Sequence, residues 1–232
     1  FDIKPIGSVE SDVEAMMADI AHVRAAGLEG VVLGASLPDG RQLALPIRVL
    51  PGGEDRAVAS LIVNQASFMV EDALAEVMTN HARAYEPEVI VGVPTLGLPL
   101  AANVARRLGH PRMVALGTSR KFWYDEALSE PLKSITTPGG EKRIYLDPRM
   151  LPLLQGRRFV LIDDVVSSGT SLASVLRLLA TAGLRPQAAI FAMLQGSAWH
   201  AHHDDVPVHG AIATPILTRG SDNRWRPERA AE

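Results

Sequence analysis

Two adjacent carboxylates, Asp163 and Asp164, follow the apolar run Phe159-Val160-Leu161-Ile162 and precede Val165-Val166 and the hydroxyl-rich stretch Ser167-Ser168-Gly169-Thr170-Ser171. A short apolar run rich in branched residues is the mark of a parallel strand buried on both faces. The small residues after it let successive backbone N–H groups point into one concavity. The helix-like run from Leu172 to Ala182, closed by Gly183, adds the positive end of its dipole. Hydroxyls on Ser167, Ser168, Thr170 and Ser171 supply further donors, and the whole suits a terminal phosphate. Two carboxylates beside it would repel a bare phosphate. They fit a ligand that also carries sugar hydroxyls or a divalent cation such as Mg2+, and the stretch therefore describes a pocket for a phosphorylated ribose. The plainer alternative is an ordinary acidic strand–turn–helix corner. Strand, acid pair and hydroxyl loop in that order favour the ligand.

The elements that must position these groups repeat the same pattern. Glu88 to Val93 (EVIVGV) reads as a buried strand, Pro94-Thr95-Leu96-Gly97 leaves its carboxyl end, and a helix from about Pro99 to Leu108 stops at Gly109. Further strands are predicted over Arg112–Leu116, Lys142–Leu146, Gln187–Leu194 and Val206–Leu217. Alternating strands and helices predict an α/β fold, mainly a parallel sheet flanked by helices. Ligands of such sheets sit at the carboxyl ends of the strands, where two corners face each other. Gly117 to Glu141 is long, polar and punctuated by Pro131, Pro138, Gly139 and Gly140, the type of connection that is either functional or disordered. Arg120 and Lys121 lie at its base beside Phe122-Trp123-Tyr124, and a solvated basic turn with core aromatics is the alternative there.

Towards the amino end, Ser11-Asp12-Val13-Glu14 is a capping box for a helix that Gly27 ends. Val31 to Leu50 reads as two strands joined at Leu37-Pro38-Asp39-Gly40, and Ala66 to Tyr85 as a long helix that Pro87 breaks. Asn64 admits two roles, a polar contact to a ligand or the cap of that helix. Gln195 and Trp199 leave the end of the Gln187–Leu194 strand, and Trp199 is either a stacking surface or a core residue. His200, His202, His203, Asp204 and Asp205 match no metal-ligand spacing and read as a solvated loop.

With 232 residues, 47% of them hydrophobic, the chain suits one domain with a sizeable core. A net charge of −3 offers no basic field for nucleic acid. No apolar run reaches membrane-spanning length, no signal-type segment is visible, and the chain opens at Phe1, as if a start residue had been removed. The absence of cysteine excludes thiolate chemistry and fits a reducing cytoplasm. Neither G-x-G-x-x-G nor G-x-x-x-x-G-K-[ST] occurs, which argues against a generic nucleotide-binding domain.

LIDDVVSSGTS resembles the signature with which type I phosphoribosyltransferases bind 5-phosphoribosyl 1-diphosphate (PRPP). The resemblance departs at Thr170, where many members carry a second glycine, and at Leu96, where many carry a lysine or arginine. DGRQLALPIRV is similar to the segment that forms a hood over the base in the xanthine enzyme, which leans the substrate towards a purine. The resemblance implies one domain over 1–232, with 1–60 contributing the hood lobe and 219–232 a tail. It implies that Ser167–Ser171 hold the 5-phosphate and that Thr95, Leu96 and Gly97 wrap the diphosphate, with a cis peptide at Thr95–Leu96. Asp163 and Asp164 would engage the ribose hydroxyls and Mg2+. Arg120 and Lys121 would stabilise the departing charge, often across a homodimer interface, under a loop that closes over the site. Asn64, Gln195 and Trp199 would meet the base. The alternative on the same fold is a regulator that senses PRPP without catalysis.

Overall fold

Strand β8 (Phe159–Val166) is the middle of a five-stranded parallel sheet. Its neighbours are β4 (Val89–Gly92) and β9 (Ala188–Gln195), and the outer positions are taken by β5 (Val114–Ala115) and β10 (Val208–Thr214), in the order β10-β9-β8-β4-β5. All pairs run parallel, with Gly92 opposite Ile162 and Asp163 opposite Phe191. The coordinates, a computed structural model, describe residues 32–52, 55–132, 142–222 and 224–228. The helix expected before Gly27 lies outside these residues, as do 133–141 of the long connection.

Helices cover both faces because the strands are apolar on both. Leu74, Val77 and Met78 of α1 (Phe68–Arg83) pack on one face with Leu100, Ala101 and Val104 of α2 (Gly97–Arg107), against Val160, Ile162 and Ile190. On the other face, Val175, Leu176 and Leu179 of α4 (Thr170–Thr181) meet Phe159, Leu161 and Phe191, with Leu154 of the short α3 (Leu151–Leu154). Helix α1 begins later than predicted. Asn64 falls in a separate 3-10 turn, Val63–Gln65, and Ser67 caps the helix by accepting from the Val70 N–H at 3.4 Å.

A second, antiparallel sheet draws on both ends of the chain, in the order β1 (Val32–Ser36), β2 (Gln42–Val49), β3 (Arg56–Ala59), β11 (Ile216–Arg219) and β12 (Trp225–Pro227). The single strand predicted over Val206–Leu217 is therefore two strands in two sheets. Residues 225–227, expected in a tail, pair with β11 instead. Within the long connection, β6 (Ser129–Pro131) and β7 (Arg143–Tyr145) form a small hairpin, and Gly117 bridges to Tyr145.

Candidate functional site

The corners after β4 and β8 meet. A Cβ placed on Gly97 would lie 2.7 Å from both Cα and Oδ1 of Asp163 and 3.0 Å from the Ile162 carbonyl oxygen. Only glycine lets the first turn of α2 come this close to the strand that carries the carboxylates. The Val93 N–H donates to the Ile162 carbonyl at 2.9 Å, which carries the parallel pairing up to the Pro94 turn. The cis peptide sits at Pro94–Thr95, one bond earlier than the resemblance implied. Thr95 is exposed, Leu96 half-buried and Gly97 buried.

Asp163 and Asp164 are half-buried. Asp163 Oδ1 accepts from the Asp164 backbone N–H at 2.8 Å. Burial pushes the Asp163 carboxyl well above the usual carboxylate range, and the neighbouring Asp164 charge adds to it. Burial also raises Asp164. Among the described residues no basic side chain is ion-paired with either. Two half-buried acids with no cationic partner among the described residues are costly. They form a hard oxygen donor pair that suits Mg2+, a cation that usually takes one or two carboxylates and completes its shell with water and ligand oxygens. Among the described residues no group of three or more His, Cys, Asp or Glu could hold a metal alone.

The hydroxyl loop is shaped by one glycine. Gly169 has φ +81° and stands just before α4. Thr170 is already helical, so the departure from a double glycine needs no second left-handed residue. Ser168 Oγ and Thr170 Oγ1 lie 3.0 Å apart, and the Thr170 N–H donates to Ser168 Oγ at 3.4 Å. Ser167, Ser168, Thr170 and Ser171 are half-buried. Gly169 is also pressed by the next corner: a Cβ there would meet His202 Cβ at 2.8 Å and Trp199 Cα at 2.9 Å. The contact with His202 was not legible in sequence, where the residue belongs to a His/Asp run with no recognisable spacing.

The remaining predicted site residues sit less directly. Gln195 is buried, and its Nε2 donates to the Ala59 carbonyl at 2.7 Å, joining β9 to the antiparallel sheet. Trp199 is 8% exposed and its indole N–H donates to the Gly196 carbonyl at 3.2 Å. Asn64 is exposed. Arg120 pairs with Glu126 at 2.7 Å, and Lys121 is exposed. Neither is ion-paired with Asp163 or Asp164.

A phosphoribosyl transferase domain model matches residues 62–210, well over half of the chain and every corner just described. The chain belongs to the phosphoribosyl transferase domain family. Solved structures of similar fold include the APRTase of Giardia lamblia complexed with 9-deazaadenine, with a TM-score of 0.55 at 18% identity, covering 82% of this chain and 97% of that one. Adenine phosphoribosyltransferase of Saccharomyces cerevisiae has a TM-score of 0.53 at 15% identity, covering 82% and 99%. Among curated relatives, amidophosphoribosyltransferase 1 of Arabidopsis thaliana is 25% identical over 126 residues, 54% of this chain and 21% of that protein. The transcriptional regulator GfcR of Haloferax volcanii is 30% identical over 127 residues, 55% of this chain and 53% of that protein. The chain thus spans about a fifth of the first of these relatives and about half of the second.

Proposed function

We propose that this chain binds PRPP and transfers its ribose 5-phosphate to a ring nitrogen of a nucleobase, releasing diphosphate. The observation that carries the reading is the approach of Gly97 to Asp163, which sets the candidate diphosphate turn against the acid pair. The Ser167–Ser171 turn follows the same acids on the chain. The hood-like segment Asp39–Val49 supports a purine as acceptor, and the absence of cysteine supports a cytoplasmic setting.

In this reaction the bond from the anomeric carbon to the diphosphate oxygen breaks, a bond to the base nitrogen forms, and the base loses a proton. The transition state resembles an oxocarbenium ion, so the protein contributes mainly position and charge. The hydroxyls and N–H groups of Ser167–Ser171 hold the 5-phosphate. Asp163 and Asp164 accept from the ribose hydroxyls once ionised. Backbone N–H groups of Thr95–Gly97 face the diphosphate, and Arg120 and Lys121 add positive charge from the neighbouring loop. Mg2+, held by Asp163 and Asp164, would neutralise the leaving group. Asn64 remains a candidate base contact, while Gln195 and Trp199, whose N–H groups already donate to Ala59 and Gly196, would shape the base site from the end of β9. A homodimer would complete the basic side of the site.

A second reading is a regulator that binds PRPP without turning it over. It is favoured by Leu96 in place of a basic residue, by the engaged side chains of Gln195 and Trp199, and by the likeness to GfcR. Mixing the protein with PRPP, Mg2+ and a panel of bases separates the two. Base-dependent diphosphate release is expected for the transferase. Saturable PRPP binding with no release on any base would leave the regulator.

A further inference from the structure

We infer that Asp147 is a positioning residue: through Trp123 and Arg149 it fixes the segment that carries Arg120 and Lys121 at the carboxyl edge of the sheet. The inference rests on the reading above, in which those two cations meet the diphosphate.

The segment is fastened at both ends. At its start, Gly117 and Tyr145 exchange backbone hydrogen bonds of 2.9 and 2.8 Å. The preceding residue, Leu116, donates to the Gly92 carbonyl at 3.0 Å, so this fastening lies beside the end of β4, the strand that the Thr95–Gly97 turn follows. At its far end the indole of Trp123 is gripped from two sides. Its Nε1–H donates to Asp147 Oδ2 at 3.3 Å, and the Arg149 guanidinium stands over its ring, 4.5 Å from the centroid. Asp147 organises both contacts. It accepts from Arg149 Nε at 3.1 Å and Nη2 at 2.6 Å, and from the Arg149 backbone N–H at 3.0 Å. Asp147 is buried, its side chain 11% exposed, while the Arg149 side chain is 61% exposed. Tyr124 adds a tilted contact to Tyr145, 5.8 Å between ring centroids.

This clamp contributes little to the core. Phe122 is 96% exposed and Trp123 40%. What it secures is an exposed five-residue stretch, Thr118–Phe122, on which Arg120 and Lys121 are the charged groups. The Arg149 guanidinium holds the Asp147 carboxyl at about 2, so the clamp keeps its charge throughout the neutral range. An isolated cation–π contact at the surface is weak. The indole here is held at its face and its edge at once, which fixes an orientation that neither contact alone would fix.

The test compares two ligands by calorimetry on the full chain, with Mg2+ present. PRPP spans both ends of the proposed site, whereas ribose 5-phosphate lacks the diphosphate. In Asp147→Asn, and in Arg149→Gln at a more exposed position, PRPP affinity should fall about tenfold or more, the loss expected when a charge-assisted hydrogen bond to the diphosphate is no longer made. Ribose 5-phosphate affinity should not change. The Trp123 emission, taken as the difference from Trp123→Phe, should shift to longer wavelength in both variants. Unchanged PRPP affinity together with a shifted emission overturns the inference. A parallel loss of both ligands assigns Asp147 a general structural role and overturns it as well. A wild-type protein that binds no PRPP overturns the proposed function, and this inference with it.

Discussion

Replacing Gly97 by alanine places one methyl group where the two corners touch. The added carbon would lie 2.7 Å from Asp163 Cα, 2.7 Å from Asp163 Oδ1 and 3.0 Å from the Ile162 carbonyl oxygen. Carbon contacts settle at about 3.5–4.0 Å, so a separation of about 1 Å must be opened. Strand β8 cannot retreat, because it is hydrogen-bonded to β4 and β9 and covered on both faces. The first turn of α2 must move instead, taking Thr95 and Leu96 with it. Overpacking of this kind costs about 1–3 kcal/mol. For a chain of this size that is a fall in melting temperature of about 2–12 °C. The protein stays folded at 25 °C, but the proposed diphosphate turn stands about 1 Å from its place beside Asp163, which under the proposed function predicts a loss of about a hundredfold in turnover. Thermal melting and diphosphate release are the paired assays. An alanine variant with the wild-type melting temperature and turnover would refute the claim that these corners form one tightly packed site.

Other perturbations follow from the same geometry. Gly169→Ala forces a side chain into the left-handed region at φ +81°, at about 1–2 kcal/mol, and sets a methyl against Trp199 Cα and His202 Cβ; titration with ribose 5-phosphate should show weakened binding. The raised carboxyls of Asp163 and Asp164 mean that the free folded protein holds protons more tightly than the unfolded chain. Its stability is therefore greater at mildly acid pH and falls as pH rises through that raised range. Asp163→Asn should melt higher than wild type at neutral pH, with a flatter pH dependence, while losing turnover; a lower melting temperature at neutral pH would contradict the assignment. Gln195→Ala leaves the buried Ala59 carbonyl without its donor, so chemical unfolding should show a loss of about 1–3 kcal/mol.

The parallel sheet and its corners were legible because their signals are local. EVIVGV and FVLI read as strands from composition alone, although the second runs on through Asp163 and Asp164 to Val166, and Gly109 and Gly183 mark helix ends without reference to the rest of the fold. The meeting of Gly97 with Asp163 was legible only as an expectation that corners converge; which atoms touch depends on the register of β4 against β8. What escaped the sequence depends on partners far along the chain. The Gln195 amide is occupied by a carbonyl 136 residues away, and Trp199 turns its N–H back onto its own strand end. The pairing of Trp225–Pro227 with β11 was hidden by a charged segment that lacks strand-like periodicity. Asp147 carried a legible cap pattern, Asp-Pro-Arg, but nothing local ties it to Trp123.

The measurement closest to the central claim is a calorimetric titration of PRPP with Mg2+, run on the wild-type chain and on the double variant Asp163→Asn, Asp164→Asn. Saturable binding by the wild type that disappears in a folded double variant is the predicted result. Equal binding by both proteins, or none by the wild type, would contradict the assignment of these acids to the sugar end of the site.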